Sequence, residues 1–173
     1  MQFDSSIVQT RYPSPLGMMT LAATRSGLAG VWFDGQRHLP AALAVRPGWP
    51  LDTHHPMLIR TAQQLSEYFA GQRQVFDVPL DLSGGTAFQQ SVWQALLAIE
   101  NGQTSSYGNV SKTIGNAAAV RAVGAAVGRN PISVIVPCHR VLGSDGSLTG
   151  YAGGLDRKTA LLKLEGVLHK NLL

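Results

Sequence analysis

The chain has 173 residues and 18.4 kDa, with 45% hydrophobic and 14% charged residues. That suits one ordinary domain or two small ones and excludes a disordered chain. The formal charge is +4, and the whole excess follows Leu82: residues 1–82 hold six arginines against six carboxylates, residues 83–173 eight cations against four. A basic half beside a neutral one suits a polyanion partner or a merely solvated surface.

No apolar run approaches the roughly 20 residues that span a bilayer. The first 20 residues carry Asp4 and Arg11 and lack a long apolar core, so no secretory signal is expected. Taken in chain order, Ile7–Tyr12 alternates loosely between apolar and polar residues, and Pro13 to Gly17 is turn chemistry. Met18–Thr24 and Leu28–Phe33 read as two further strands around Ser26-Gly27, giving an antiparallel meander. Residues 34–53 hold Gly35, Pro40, Pro47, Gly48 and Pro50 and read mainly as loop. Apolar spacings of three and four predict a helix over Met57–Phe69, ended by Gly71. Val75–Leu82 reads as a last extended segment leading into a linker.

The second half carries 13 of the 19 glycines, which predicts tight turns between short helices. Thr86 is a suitable N-cap for a helix to about Ile99, with Phe88, Val92, Trp93, Leu96 and Leu97 as its buried stripe. Tyr107–Ile114, a Gly115-Asn116 turn and the Ala-rich Ala117–Val127 have the spacing of a helix-turn-helix. Taken alone, that spacing is a weak signal and more often reflects ordinary helical packing. Ile132–Val136 reads as a short buried strand, and Asp156–Glu165 as a last helix. These elements predict an α+β chain with a domain over 1–82 and a second over 83–173.

Cys138 is the single cysteine. An intramolecular disulfide and a Cys-rich zinc site are therefore excluded, and no histidine pair has HExxH spacing. No metal and no cofactor is expected, and the cysteine usage fits a reducing, cytoplasmic compartment. Pro137 fixes the backbone before Cys138, and His139 and Arg140 follow. A thiol flanked by an imidazole and a guanidinium sits in a positive field, which favours thiolate. A nucleophilic cysteine needs a base, and the base an orienting group. His139 is the nearest base. On an extended chain it would face away from Cys138 and act through a bridging water. Glu165 is a candidate orienter or a solvated helix-end carboxylate.

Seven ordered blocks resemble the O6-alkylguanine–DNA alkyltransferases, the methylated-DNA–protein-cysteine methyltransferases. They are Phe88 to Trp93, Ser106-Tyr107-Gly108, Val120 to Gly124, Arg129-Asn130-Pro131, Pro137 to Val141, Gly150 to Leu155, and Leu161-Leu162 with Glu165-Gly166. The resemblance runs from about Thr86 to Gly166 and more loosely through the N-terminal strands. It implies a small N-terminal α/β domain around an antiparallel, ribonuclease H-like sheet. The C-terminal domain would be helical, with a winged-helix-like helix-turn-helix.

The resemblance also implies roles. Cys138 would accept the alkyl group, His139 would be its base through a water, and Glu165 would stabilise the imidazolium. Asn130 would tie the helix-turn-helix to the active-site segment. Arg121 would fill the gap left by a base flipped through the minor groove, with Ala122 and Arg140 also on the DNA. Tyr107 would rotate the phosphate and donate to N3 of the base, supported by Lys158. The Cys138 and Val141 carbonyls would accept from the exocyclic amine, and Tyr151, Ala152, Gly153 and Gly154 would line the pocket. Some relatives have serine where this chain has Ala152, so only a backbone N–H is left there to donate to O6. The implied partner is alkylated double-stranded DNA, bound by a monomer away from any membrane. O4-alkylthymine would be a second substrate. A non-catalytic helix-turn-helix protein and a cysteine hydrolase using Cys138, His139 and Glu165 are the alternatives.

Overall fold

Two two-residue hairpins fold the start of the chain into an antiparallel sheet. In this computed structural model, which describes residues 1–168, β1 (Val8–Ser14), β2 (Gly17–Thr24) and β3 (Gly27–Phe33) lie in the order β1-β2-β3. The first turn is closed by Ser14, whose hydroxyl donates to the Gly17 carbonyl at 2.6 Å and accepts from the Leu16 N–H at 3.1 Å. The first strand thus runs two residues past Tyr12, through Pro13, because an edge strand tolerates a missing N–H. Gly30 is required by packing: an added Cβ would lie 1.8 Å from the Trp32 ring.

One compact unit comprises Met1–Thr86 with Pro131–Ser133. Its helix α2 (Pro56–Phe69) buries Leu58, Leu65 and Tyr68, and the Ser66 hydroxyl meets the Tyr12 hydroxyl at 2.9 Å. Ile7, Ala22, Ala29 and Trp32 form another cluster, covered by Phe3, Leu43 and Trp49. The 34–53 loop contains one helical turn, α1 (Ala41–Ala44). Val75–Leu82 is not a strand; only Leu80 bridges to Leu28, while Asp81 is held by the Thr24 hydroxyl at 2.5 Å. Pro79 lacks the N–H that a longer ladder would need. Ile132 bridges Val31, with Val31 N–H donating to Pro131 and Ser133 N–H to Val31, both at 2.9 Å.

The second unit comprises Ala87–Asn130 and the chain from Val134 onward. Here α3 (Ala87–Leu97) buries Val92, Trp93 and Leu96. The Trp93 indole N–H donates to the Ala126 carbonyl of α5 (Val120–Gly128) at 2.8 Å. Helix α4 (Tyr107–Thr113) starts at Ser106, whose hydroxyl accepts from the Asn109 N–H. Helix α5 starts three residues later than its alanine content predicts. No side chain caps it, and the Ser111 hydroxyl instead binds the Asn116 carbonyl in the preceding turn.

Ile132–Val136 is the main correction to the sequence reading. Beyond its single bridge it is a turn, because Val134 takes φ +73° and the Asn130 amide donates to the Val136 carbonyl at 2.8 Å. Such a φ is rare for a β-branched residue. The chain then makes a single 3₁₀ turn, Cys138–Arg140, and a two-residue strand, β5 (Val141–Leu142), parallel to β4 (Ser105–Ser106). Helix α6 (Leu155–Leu164) follows, with Glu165 as its C-cap.

Candidate active site

Every residue from Pro131 to Arg140 is buried. Cys138 is 5% exposed, and its sulfur lies 3.2 Å from Asn130 Nδ2. The sequence reading places this thiol in a field that favours thiolate, but burial is the larger influence and pushes the thiol up. The Asn130 amide, the Lys158 charge and the backbone N–H groups of Cys138 and His139 oppose it without overcoming it. The resting group is thus a protonated thiol that already has the donors its anion needs.

The 3₁₀ turn, rather than an extended chain, sets the direction of His139. Its Nε2 lies 2.7 Å from Glu165 Oε1, with both side chains fully buried. Burial alone would raise the Glu165 carboxyl, but hydrogen bonds from His139 and Arg140 bring it down to about 2. An ionised carboxylate only accepts, so Nε2 carries a proton, and in the neutral ring the lone pair is then on Nδ1. Nδ1 is buried and has no hydrogen-bond partner among the described residues. Burial, with the charges of Arg140 and Lys158, pushes the imidazole pKa down against the pull of Glu165.

Arg140, expected on the DNA, is turned inward in this structure. It is 6% exposed and its guanidinium is committed. Nε and Nη2 donate to Glu165 Oε2 and Oε1, each at 2.8 Å, and Nη1 donates to the Ile99 carbonyl at 2.5 Å. So placed, the guanidinium faces Glu165 and Ile99 rather than solvent. The sequence shows only a cation after a histidine, and the 25-residue separation from Glu165 hides the pair.

Lys158 is fully buried in α6. Its ammonium donates to the carbonyls of Val141 at 2.6 Å, Thr149 at 2.9 Å and Gly150 at 3.2 Å. Burial lowers it to about 8, opposed by Cys138. It thereby fastens the segment leading into Tyr151, Ala152 and Gly153. The Tyr107 hydroxyl donates to the same Thr149 carbonyl at 3.4 Å, and an added Cβ on Gly124 would lie 3.8 Å from the Tyr107 ring. Arg121 stands one turn before Gly124 on α5, so it shares that face. Arg121 and Ala122 are exposed. The structure therefore brings Cys138, His139, Glu165 and Asn130 together, with Lys158 behind the loop and Tyr107 and Arg121 on one helix-turn-helix face.

A short helix, a tight turn and a second helix, in one unit with a buried cysteine flanked by a histidine, fit the class of nucleic-acid-binding proteins that carry a nucleophilic cysteine. Two family models match the chain: the 6-O-methylguanine DNA methyltransferase ribonuclease-like domain over residues 7–82, and the DNA binding domain of the same family over 87–167. The chain belongs to the 6-O-methylguanine DNA methyltransferase family. It is 48% identical to the methylated-DNA–protein-cysteine methyltransferase of Mycolicibacterium paratuberculosis, over 88% of each chain. It is 40% identical to that of Haemophilus influenzae, over 94% of this chain and 88% of the relative. Among solved structures it resembles Mycobacterium tuberculosis OGT in complex with DNA, with a TM-score of 0.79 and 46% identity over 92% and 91% of the two chains.

Proposed function

We propose that the chain repairs alkylated duplex DNA directly, by one irreversible transfer of the methyl group of O6-methylguanine to Cys138. The observation that carries this reading is the buried thiol beside a histidine whose Nε2 is locked on Glu165 and whose Nδ1 is left as the base. Relatives that are named methylated-DNA–protein-cysteine methyltransferases support it.

The step balances as a displacement. His139 Nδ1 takes the thiol proton through a water, and the Glu165 carboxylate stabilises the imidazolium. The sulfur attacks the methyl carbon, the S–C bond forms as the C–O6 bond breaks, and the electron pair leaves with guanine, which takes up a proton. Sulfur suits this carbon because it is soft and polarizable. The product thioether is not hydrolysed, so each chain reacts once.

The base reaches the thiol by rotating out of the stack through the minor groove. Arg121 fills the gap, and Ala122 lies on the same DNA surface. Tyr107 exchanges its Thr149 contact for a donation to N3 of the base. The Cys138 and Val141 carbonyls accept from the exocyclic amine, and the Ala152 N–H donates to O6 within the Tyr151–Gly154 loop. O4-alkylthymine is a second substrate. The protein acts as a monomer, in the cytoplasm.

Intact mass after mixing with a short duplex holding one O6-methylguanine tests the reading. The expected gain is one CH₂, located on Cys138 and saturating at one per chain. Binding without any mass gain would overturn it.

A further inference from the structure

Glu165 is a buried anion that Arg140 and His139 share. Arg140 holds both carboxylate oxygens, each at 2.8 Å, and His139 shares Oε1 at 2.7 Å. A buried carboxylate must be neutralised by a partner or by a proton. Without a guanidinium beside it, Glu165 would acquire its counter-charge by holding His139 as imidazolium, and a proton on Nδ1 would leave no base for the thiol. With Arg140 in place, the Arg140–Glu165 pair is already neutral and His139 has no reason to charge.

We infer that Arg140 is a positioning residue that keeps His139 unprotonated in the resting protein, by supplying the counter-charge of Glu165. The inference rests on His139 being the base proposed above. Other charges face the imidazole as well. Lys158 approaches from α6 and acts in the same direction as Arg140, Glu165 opposes both, and Cys138 is uncharged at rest. Arg140 is anchored from a third element through the Ile99 carbonyl, so its charge is fixed in place rather than swinging on a free side chain. The arrangement uses Glu165 twice. It orients the imidazole before transfer and stabilises the imidazolium during transfer, and Arg140 keeps the second role from being filled too early.

The test compares wild type with Arg140→Gln, which removes the charge, and Arg140→Lys, which keeps it. Nitrogen-15 NMR of histidine-labelled protein reads the His139 tautomer and titration, assigned by the signal missing in His139→Gln. Wild type is expected to be neutral at pH 7 with the proton on Nε2. In Arg140→Gln the His139 titration is expected to rise by about one to two pH units, the effect of one nearby charge at intermediate dielectric. The acid limb of Cys138 alkylation by free O6-benzylguanine should move up with it. Arg140→Lys should keep both near wild type.

An imidazolium at pH 7 in wild type overturns the inference, whether or not the Gln variant folds. An unmoved titration in a folded Gln variant also overturns it. A wild type that shows the expected tautomer but never becomes alkylated would instead sink the transferase reading, and so separates the two failures.

Discussion

The Asn130 side-chain amide lies 2.8 Å from the Val136 carbonyl and 3.2 Å from the Cys138 sulfur. One group thus both closes the turn that carries the nucleophile and donates to it. Asn130→Ala removes both contacts from a buried site. A stability loss of about 1–3 kcal/mol is expected in urea unfolding. Reaction with free O6-benzylguanine should slow in the variant that remains folded, because the thiol loses a donor that favours its anion. An unchanged rate would confine Asn130 to a role in the turn.

Glu165→Gln strands the Arg140 guanidinium without its counter-ion. Breaking a buried pair in this way costs about 3–5 kcal/mol. The pH dependence should change as well. The Glu165 carboxyl is near 2 in the fold against an ordinary 4.5, so its stabilisation is present above pH 4.5 and is lost as pH falls through 2. His139 is also depressed, from 6.5, so wild type should already lose stability below that pH. Thermal unfolding from pH 7 down to 2 should show a steeper acid loss for wild type than for the Gln variant.

Arg121→Ala should slow repair within duplex DNA much more than reaction with a free modified base. Arg121 is exposed on α5 and far too polar a group to be spent on the core. Single-turnover rates with both substrates provide the comparison, and equal losses would contradict a role in base rotation. Duplex affinity should fall as salt rises, with a shallower slope in the variant if Arg121 also meets a phosphate.

Lys158→Met leaves the carbonyls of Val141, Thr149 and Gly150 without their shared donor. The expected stability cost is about 1–3 kcal/mol at pH 7, with faster amide exchange around Thr149–Ala152. The folded-state Lys158 value of about 8 lies below its ordinary 10.5. Between those values the unfolded chain binds a proton that the fold does not, so wild-type stability gains with pH relative to the Met variant. Denaturation at pH 7 and pH 10 should show that gap widening.

The strands and most helices were legible because their signals are local. Loose alternation marks β1, turn residues mark both hairpins, and the spacing of three and four marks α2. The thiol and its neighbouring histidine were legible from the residues themselves, and the resemblance singled out the distant carboxylate. Two features were not. The run from Ile132 to Val136 has the composition of a strand, and its turn depends on a side-chain bond from Asn130 that no periodicity reveals. Arg140 looks like a surface cation because its partners, Ile99 and Glu165, come from two other segments. The paired two-residue strands β4 and β5 are too short to leave any pattern.

Trp93 gives the second unit a built-in optical probe. It is that unit's one tryptophan; Trp32 and Trp49 lie in the first, each meeting Phe3 edge-on. Its indole N–H ends on the Ala126 carbonyl of α5, the helix that bears Arg121. Indole emission shifts with the polarity around the ring and with the loss of a hydrogen bond. Replacing Trp32 and Trp49 with phenylalanine would leave a single fluorophore that follows α5 in real time. Methylation at Cys138 and the arrival of a duplex could then be timed separately in one stopped-flow trace.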